Sequence, residues 1–148
     1  MDIWKPNVTV AAIVEQEGRF LLVEEETSDG VRFNQPAGHL DEGESLVAAC
    51  IRETLEETAY AFDPTELVGV YQWARPQGDV TYLRFAFTGK VGACDTGRRL
   101  DDGILRAVWM TPVEIEACIE RHRSPLVLQC LRDYLAGRRF PLNLIWSF

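Results

Sequence analysis

One stretch constrains this chain more than any other: Gly38 to Tyr60, GHLDEGESLVAACIRETLEETAY. It sets Gly38, then Glu44 after five residues, then Arg52-Glu53 after seven, then Glu56-Glu57 after two. At roughly 100° per residue in a helix, Glu53, Glu56 and Glu57 fall on one side. Val47, Ala48, Ile51 and Leu55 fall on the other, so the spacing predicts an amphipathic helix with an apolar face seated on a sheet. With ordinary usage of glycine and charged residues, six such fixed positions coincide on the order of once in 10⁵ chains of this length. A solvated acidic face is therefore a poor account of the pattern.

Like charges at i, i+3 and i+4 repel by a few tenths of a kcal/mol per pair. A bound Mg²⁺, with Mn²⁺ as substitute, would relieve that repulsion. Both ions take carboxylate oxygens in octahedral geometry and leave positions for water and phosphate. Arg52 sits where it can pair within the cluster and orient one of the glutamates.

The 148 residues suit one domain over 1–148, long enough to bury a core. An apolar share of 47% and a charged share of 26% are those of a globular chain, and no apolar run approaches a membrane span. The net charge of −8 argues against a nucleic-acid polymer as partner. A small phosphorylated substrate is compatible with it, because bound metal inverts the local charge. Cys50, Cys94, Cys118 and Cys130 have neither C-x-x-C spacing nor matching histidines, which predicts reduced thiols. Together with MDIWKPNV, which does not read as a signal peptide, this predicts a cytoplasmic protein.

Val8–Val14 and Arg19–Glu24 read as strands joined by a Glu15-Gln16-Glu17-Gly18 hairpin, followed by a polar turn at Thr27–Gly30. Pro36 and Gly38 predict irregular backbone before a helix running from Glu44 or Ser45 to Thr58. Leu67–Trp73, Thr81–Gly89 and Leu105–Met110 read as further strands. Thr111-Pro112-x-Glu114 is a capped helix start, and Ser124-Pro125 opens a helix with Leu128, Leu131 and Leu135 inward and Gly137 as stop. The apolar tail FPLNLIWSF is expected either to dock on the domain or to meet a second subunit, so the molecule is a monomer or a homodimer. Strands on both sides of one helix, then two helices, predict an α/β fold with a mixed sheet between helices.

The Gly38–Tyr60 stretch resembles the Nudix box, G-x5-E-x7-R-E-U-x-E-E-x-G-U with U aliphatic. Gly38, Glu44, Arg52, Glu53, Glu56 and Glu57 match; Thr54, Ala59 and Tyr60 depart. The resemblance implies a Nudix-type α/β/α sandwich and metal-dependent hydrolysis of phosphoanhydrides. It implies one to three Mg²⁺ held by Glu53, Glu56, Glu57 and the carbonyl of Gly38 or its neighbour. Glu53 would also act as base, and Glu44 would orient Arg52. Alanine at the closing glycine position costs about 1 kcal/mol or more in a left-handed conformation, which predicts a different helix exit. Family members often place an acid six residues before a late-strand tryptophan. That count from Trp109 falls on Gly103, with Asp101 and Asp102 just upstream as candidates.

Ring-binding candidates are Phe33, Trp73 and Tyr82, with His39 as a possible phosphate contact. Arg84 and Arg32 are read as phosphate contacts or framework ion pairs, and His122 as surface. Outside the box, NQPAGHL, QW…P…LRF, RSPLV and GRRFPL resemble the bacterial thiamine-precursor phosphatases of the Nudix family. This implies hydrolysis of hydroxymethylpyrimidine pyrophosphate, thiamine pyrophosphate and nucleoside di- or triphosphates. The alternatives are a Nudix hydrolase of ADP-ribose, NADH or dinucleotides, and a non-catalytic nucleotide sensor. Sensors typically have eroded boxes, whereas every acid is present here.

Overall fold

A computed structural model describes residues 1–148. In chain order the elements are β1 (Asn7–Ile13), β2 (Glu15–Gln16), β3 (Arg19–Thr27), β4 (Gly30–Asn34) and β5 (Ala37–His39). They continue with α1 (Leu46–Thr58), β6 (Tyr60–Ala74), β7 (Thr81–Cys94), β8 (Ile104–Met110), α2 (Pro112–Ala117), α3 (Leu126–Leu135) and β9 (Phe140–Pro141). A mixed five-stranded sheet has the order β5-β1-β7-β6-β9, with only β1 and β7 parallel. A second, antiparallel sheet joins β2, β3, β4 and β8.

The expected β1–β3 hairpin is not formed. From Val10 to Val14 the chain is at most 2% exposed, so β1 needs cover on both faces and takes a central place between β5 and β7. Only Glu15-Gln16 pairs back on Arg19-Phe20. Its two-residue turn, Glu17 at φ 53 and Gly18 at φ 76, has the left-handed pair that a twisted hairpin demands. That small hairpin carries the chain from one sheet into the other. Gly38 is also not in irregular backbone: it lies in edge strand β5, opposite Val10.

Side chains alternate between two cores. Ile13, Phe20, Leu22, Val68, Leu128 and Leu131 fill the α3 side. Val10, Ala12, Leu21, Ala49, Cys50 and Phe87 fill the α1 side. The Thr111 hydroxyl accepts from the Glu114 amide at 3.2 Å while Glu114 Oε1 accepts from the Thr111 amide at 3.1 Å, the predicted capping box. In α3, Leu128 and Leu131 are buried, but Leu135 is 54% exposed because the helix leaves the core before Gly137. The tail docks through β9 on Glu66-Leu67, and Leu142 and Ile145 reach the α1-side core. No helix is long and apolar enough to cross a membrane.

The different helix exit is also overturned. Ala59 takes the left-handed conformation itself (φ 65, ψ 7) and donates its N–H to the Leu55 carbonyl at 2.9 Å. The carbonyl this satisfies at the helix end outweighs the steric cost. Ala59→Gly is expected to raise stability by about 1 kcal/mol, read as a higher urea midpoint at unchanged m-value. An unchanged midpoint would mean that the buried methyl gives back through packing what its φ costs.

Candidate active site

The sequence places the box carboxylates opposite the buried face of α1; in the structure Val47 does pack on the core, but the buried face is rotated toward Glu53 and Glu57. Ala49, Cys50, Thr54, Glu57 and Thr58 are buried, whereas Ile51 is 38% exposed and Ala48 lies in solvent. The small residues Ala49 and Cys50 let the helix approach the sheet closely. Thr54, fully buried, donates to the Cys50 carbonyl at 2.7 Å, and Thr58 donates to that of Thr54 at 2.6 Å. A periodicity count treats carboxylates as outward-facing. Here Glu53 and Glu57 instead find cations and amides on the inner side and are drawn in.

Arg52 organises the cluster. Its Nη2 donates to Glu44 Oε1 at 2.6 Å and its Nε to Glu44 Oε2 at 3.1 Å, a two-point pair. Nη1 reaches Glu53 Oε1 at 2.9 Å and Glu56 Oε2 at 3.1 Å, and Nη2 also reaches the His39 carbonyl at 3.0 Å. Glu44 is held below the usual carboxylate range by Arg52. For Glu53 burial outweighs the pull of Arg52, and its pKa is raised. Glycine at 38 follows from the same packing: a methyl there would overlap the Glu53 carboxylate.

Asp101, carried by the loop before β8, completes the group. Its amide donates to the Glu56 carbonyl at 3.0 Å, and its carboxylate comes within 4.8 Å of those of Glu53 and Glu56. Three converging carboxylates are the donor set of a hard divalent cation. Asp102 does not join them; it points outward to Arg99 at 3.2 Å with its side chain 96% exposed. Glu57 stands beside this trio, 8% exposed, with Oε1 accepting from the Ala37 amide at 2.9 Å.

Burial, against the Ala37 hydrogen bond and with the charges of Glu25, Glu53 and Asp101 adding to it, pushes the Glu57 carboxyl up to about 9. The fold thus holds a proton that the unfolded chain releases near pH 4.5. The Glu57 contribution to stability is complete below that pH and is lost as pH rises toward 9. In metal-free protein, the urea midpoint of wild type relative to Glu57→Gln is expected to fall over that range. A rising difference would contradict the protonated carboxyl.

The cluster opens into a cleft of about 1060 Å³ between the α3-side face of the five-stranded sheet and the start of α3. Trp73 and Tyr82 line it as a cross-strand pair, rings 6.0 Å apart and 13° from parallel. His39 lines it too. Phe33 does not: it is 4% exposed in the α3-side core, with the Arg121 guanidinium 4.6 Å over its ring, so it cannot receive a substrate ring. Arg32 bonds the neighbouring Val31 carbonyl at 3.0 Å, away from the cleft. His122, read as surface, is anchored by Nε2 on the Ile115 carbonyl at 2.8 Å and lines the cleft.

The sequence reading missed Glu25, whose carboxylate faces the cleft while paired with Arg123 at 2.9 Å. It also gave no site role to Asn34, Ser124, Pro125 or Gln129, which line the cleft, although NQPAGHL and RSPLV contain the first three. The only signal for Glu25 was its place in the middle of a Glu24-Glu25-Glu26 run on a strand. Glu24 in that run is a framework anchor, bonded to Arg106 and Arg121 at 3.0 and 2.7 Å.

The NUDIX domain model matches residues 4–130. Phosphatase NudJ of Escherichia coli strain K12 is 38% identical over 146 residues, spanning 99% of this chain and 94% of that protein. A NUDIX hydrolase from Nitrosomonas europaea superimposes with a TM-score of 0.95 at 50% identity, over 97% of this chain and 98% of its own. A MutT NUDIX hydrolase from Burkholderia pseudomallei, at 17% identity, shares the fold with a TM-score of 0.75 over 88% of this chain and 98% of its own. Matched along almost its whole length, with Gly38, Glu53 and Glu57 of the box lining one cleft and Arg52 bonded to Glu44, Glu53 and Glu56 beside it, this chain belongs to the Nudix family and is a Nudix pyrophosphohydrolase.

Proposed function

We propose that residues 1–148 act as one Nudix unit that hydrolyses small organic pyrophosphates and releases inorganic phosphate. The substrates in view are hydroxymethylpyrimidine pyrophosphate, thiamine pyrophosphate and nucleoside di- and triphosphates. The observation that carries this is the convergence of Glu53, Glu56 and Asp101 beside a cleft that Glu53 and Glu57 line and that has an aromatic pair along its wall. Similarity to a protein named as a phosphatase, at 38% identity, favours phosphate release over cleavage into two nucleotides.

Glu53, Glu56 and Asp101 are the residues that would hold Mg²⁺ or Mn²⁺, with Glu57 and the Gly38 carbonyl alongside. The cation, when bound, neutralises phosphoryl oxygens and acidifies water. Glu53 is the base. Its raised pKa suits it to take the proton of the attacking water, and Arg52 fixes the direction in which its carboxylate points. Water adds to phosphorus as the bridging P–O bond breaks, and the electron pair leaves with the organic phosphate. Glu44 holds Arg52 in place from the outer side.

The test is release of phosphate and pyrophosphate from a panel run with Mg²⁺, with Mn²⁺ and with EDTA. The panel holds the two thiamine-related pyrophosphates, the common nucleoside di- and triphosphates, ADP-ribose and NADH. Metal-dependent phosphate from the first two groups is expected. Turnover confined to ADP-ribose or NADH would keep the hydrolase and reject this substrate class.

A further inference from the structure

The cleft contains a buried cation that the chemistry above does not use. Four arginines line it, and three are paired with carboxylates: Arg75 with Asp79 at 3.4 Å, Arg123 with Glu25 at 2.9 Å, Arg132 with Glu116 at 3.8 Å. Arg84, at 5% exposure the most buried of them, has no carboxylate partner. It is held by neutral groups. Nη1 donates to Gln35 Oε1 at 3.0 Å and lies 3.8 Å from the Cys130 sulfur, and Nη2 donates to Asn34 Oδ1 at 3.0 Å. Gln35 is itself anchored on the Val127 carbonyl at 2.8 Å. Three of five N–H donors are thus engaged, leaving Nε–H and one on Nη2 for something that enters the cleft.

The sheet register places Arg84 within the cleft. His39, Thr9 and Arg84 are cross-strand neighbours on β5, β1 and β7. Arg84 is therefore two interstrand spacings, about 10 Å, from the strand that packs on the Glu53 carboxylate. Glu53 and Arg84 line the same cleft, so a pyrophosphate held at the box would extend its organic group toward Arg84. Tyr82 is two residues along β7 from Arg84, and Trp73 is the cross-strand partner of Tyr82. Residues at i and i+2 share a face about 7 Å apart, so the aromatic pair and the guanidinium line one wall. A planar ring stacked along that pair would lie beside Arg84.

We infer that Arg84 is a specificity-determining residue that reads hydrogen-bond acceptors on the edge of a heterocyclic ring stacked along Trp73 and Tyr82. This rests on the pyrophosphatase reading and deepens it: among the substrates named above it favours nucleotides whose base has neighbouring acceptors on one edge over the aminopyrimidine pyrophosphates, which have no such pair. O6 and N7 of guanine are one such pair, and arginine is the usual donor to it. Asn34 and Gln35 preset the plane of the guanidinium. A rigid, oriented fork distinguishes ring edges, whereas a flexible rim arginine suffices for a phosphate.

The test is calorimetric affinity at saturating Mg²⁺ for α,β-methylene analogues of GDP and CDP, set against methylenediphosphonate, which lacks the ring. In the wild type the better nucleotide analogue is expected to bind at least tenfold more tightly than methylenediphosphonate. Arg84→Gln is expected to shrink that ratio about 10- to 100-fold. Arg84→Lys, which keeps the charge and loses the fork, is expected to shrink it equally; it also carries the test if the Gln variant does not fold. Equal weakening of both ligands, or rescue by Lys, would make Arg84 a phosphate anchor and overturn the inference. So would a wild-type ratio near one. If the ratio behaves as expected and nothing is turned over, the hydrolase reading fails and this one stands.

Discussion

Glu53→Gln is expected to lower kcat about 10²- to 10⁴-fold, the usual contribution of a positioned general base, and to lower kcat/KM with it. The residue has two duties, as a carboxylate of the Glu53–Glu56–Asp101 group and as proton acceptor. Glutamine keeps the size and the hydrogen bond that Arg52 Nη1 donates at 2.9 Å, but it offers no charge to a cation and no lone pair basic enough for water. Stability should not suffer. Burial already disfavours the ionised form of Glu53, and Arg52 retains Glu44 and Glu56. The checks are steady-state kinetics on the best substrate of the panel and a urea midpoint for each protein. Wild-type turnover in this variant would remove Glu53 from the mechanism. Loss of turnover together with loss of the folded state would make its role structural.

Gly38→Ala is the second large effect, and it removes no polar group. The added methyl would occupy the space of the Glu53 carboxylate. Because that carboxylate is the end of a flexible side chain, it gives way before the β5 backbone does, and the stability cost should stay within about 1–2 kcal/mol. The catalytic cost should be greater: displacement by about 1 Å can lose 10²-fold in rate. Both variants act through one carboxylate, so Gly38→Ala in a Glu53→Gln background is expected to add little. Full additivity in that double-mutant cycle would show that Gly38 serves something other than Glu53. The sequence reading gave Gly38 a role as carbonyl ligand; the packing adds a reason for glycine that needs no ligand.

Much of this site was legible before any coordinates. Spacing within one segment predicted α1 and put Glu56 one turn from Arg52, because residues four apart on a helix share a side; the Glu44 pair comes instead from the loop before the helix. Thr111 and Glu114 announced a helix start through chemistry confined to four residues. The errors share a cause. Periodicity scored Ile51 as buried and the glutamates as exposed, but the direction a helix turns is set by what lies beneath it. Phe33 was expected in the pocket because aromatic residues serve cores and pockets alike, and only the Arg121 guanidinium over its ring decides between them. Asp101 and Asp102 are indistinguishable in sequence, and the loop turns one inward and the other toward Arg99.

The sequence by itself determined the chemistry: the box acids, the arginine that orders them and the glycine that admits them lie within twenty residues. Helix geometry sets Arg52, Glu53, Glu56 and Glu57 relative to one another, while tertiary packing brings up Gly38 on β5 and Asp101 from the loop before β8. Tertiary structure decided what that chemistry is aimed at. The cleft draws Glu25 from β3, Arg84 and Tyr82 from β7, Trp73 from β6 and Gln129 from α3, brought together by a parallel β1–β7 pairing. Such contacts depend on which faces of β1 need covering, a property of the whole core and not of any one segment.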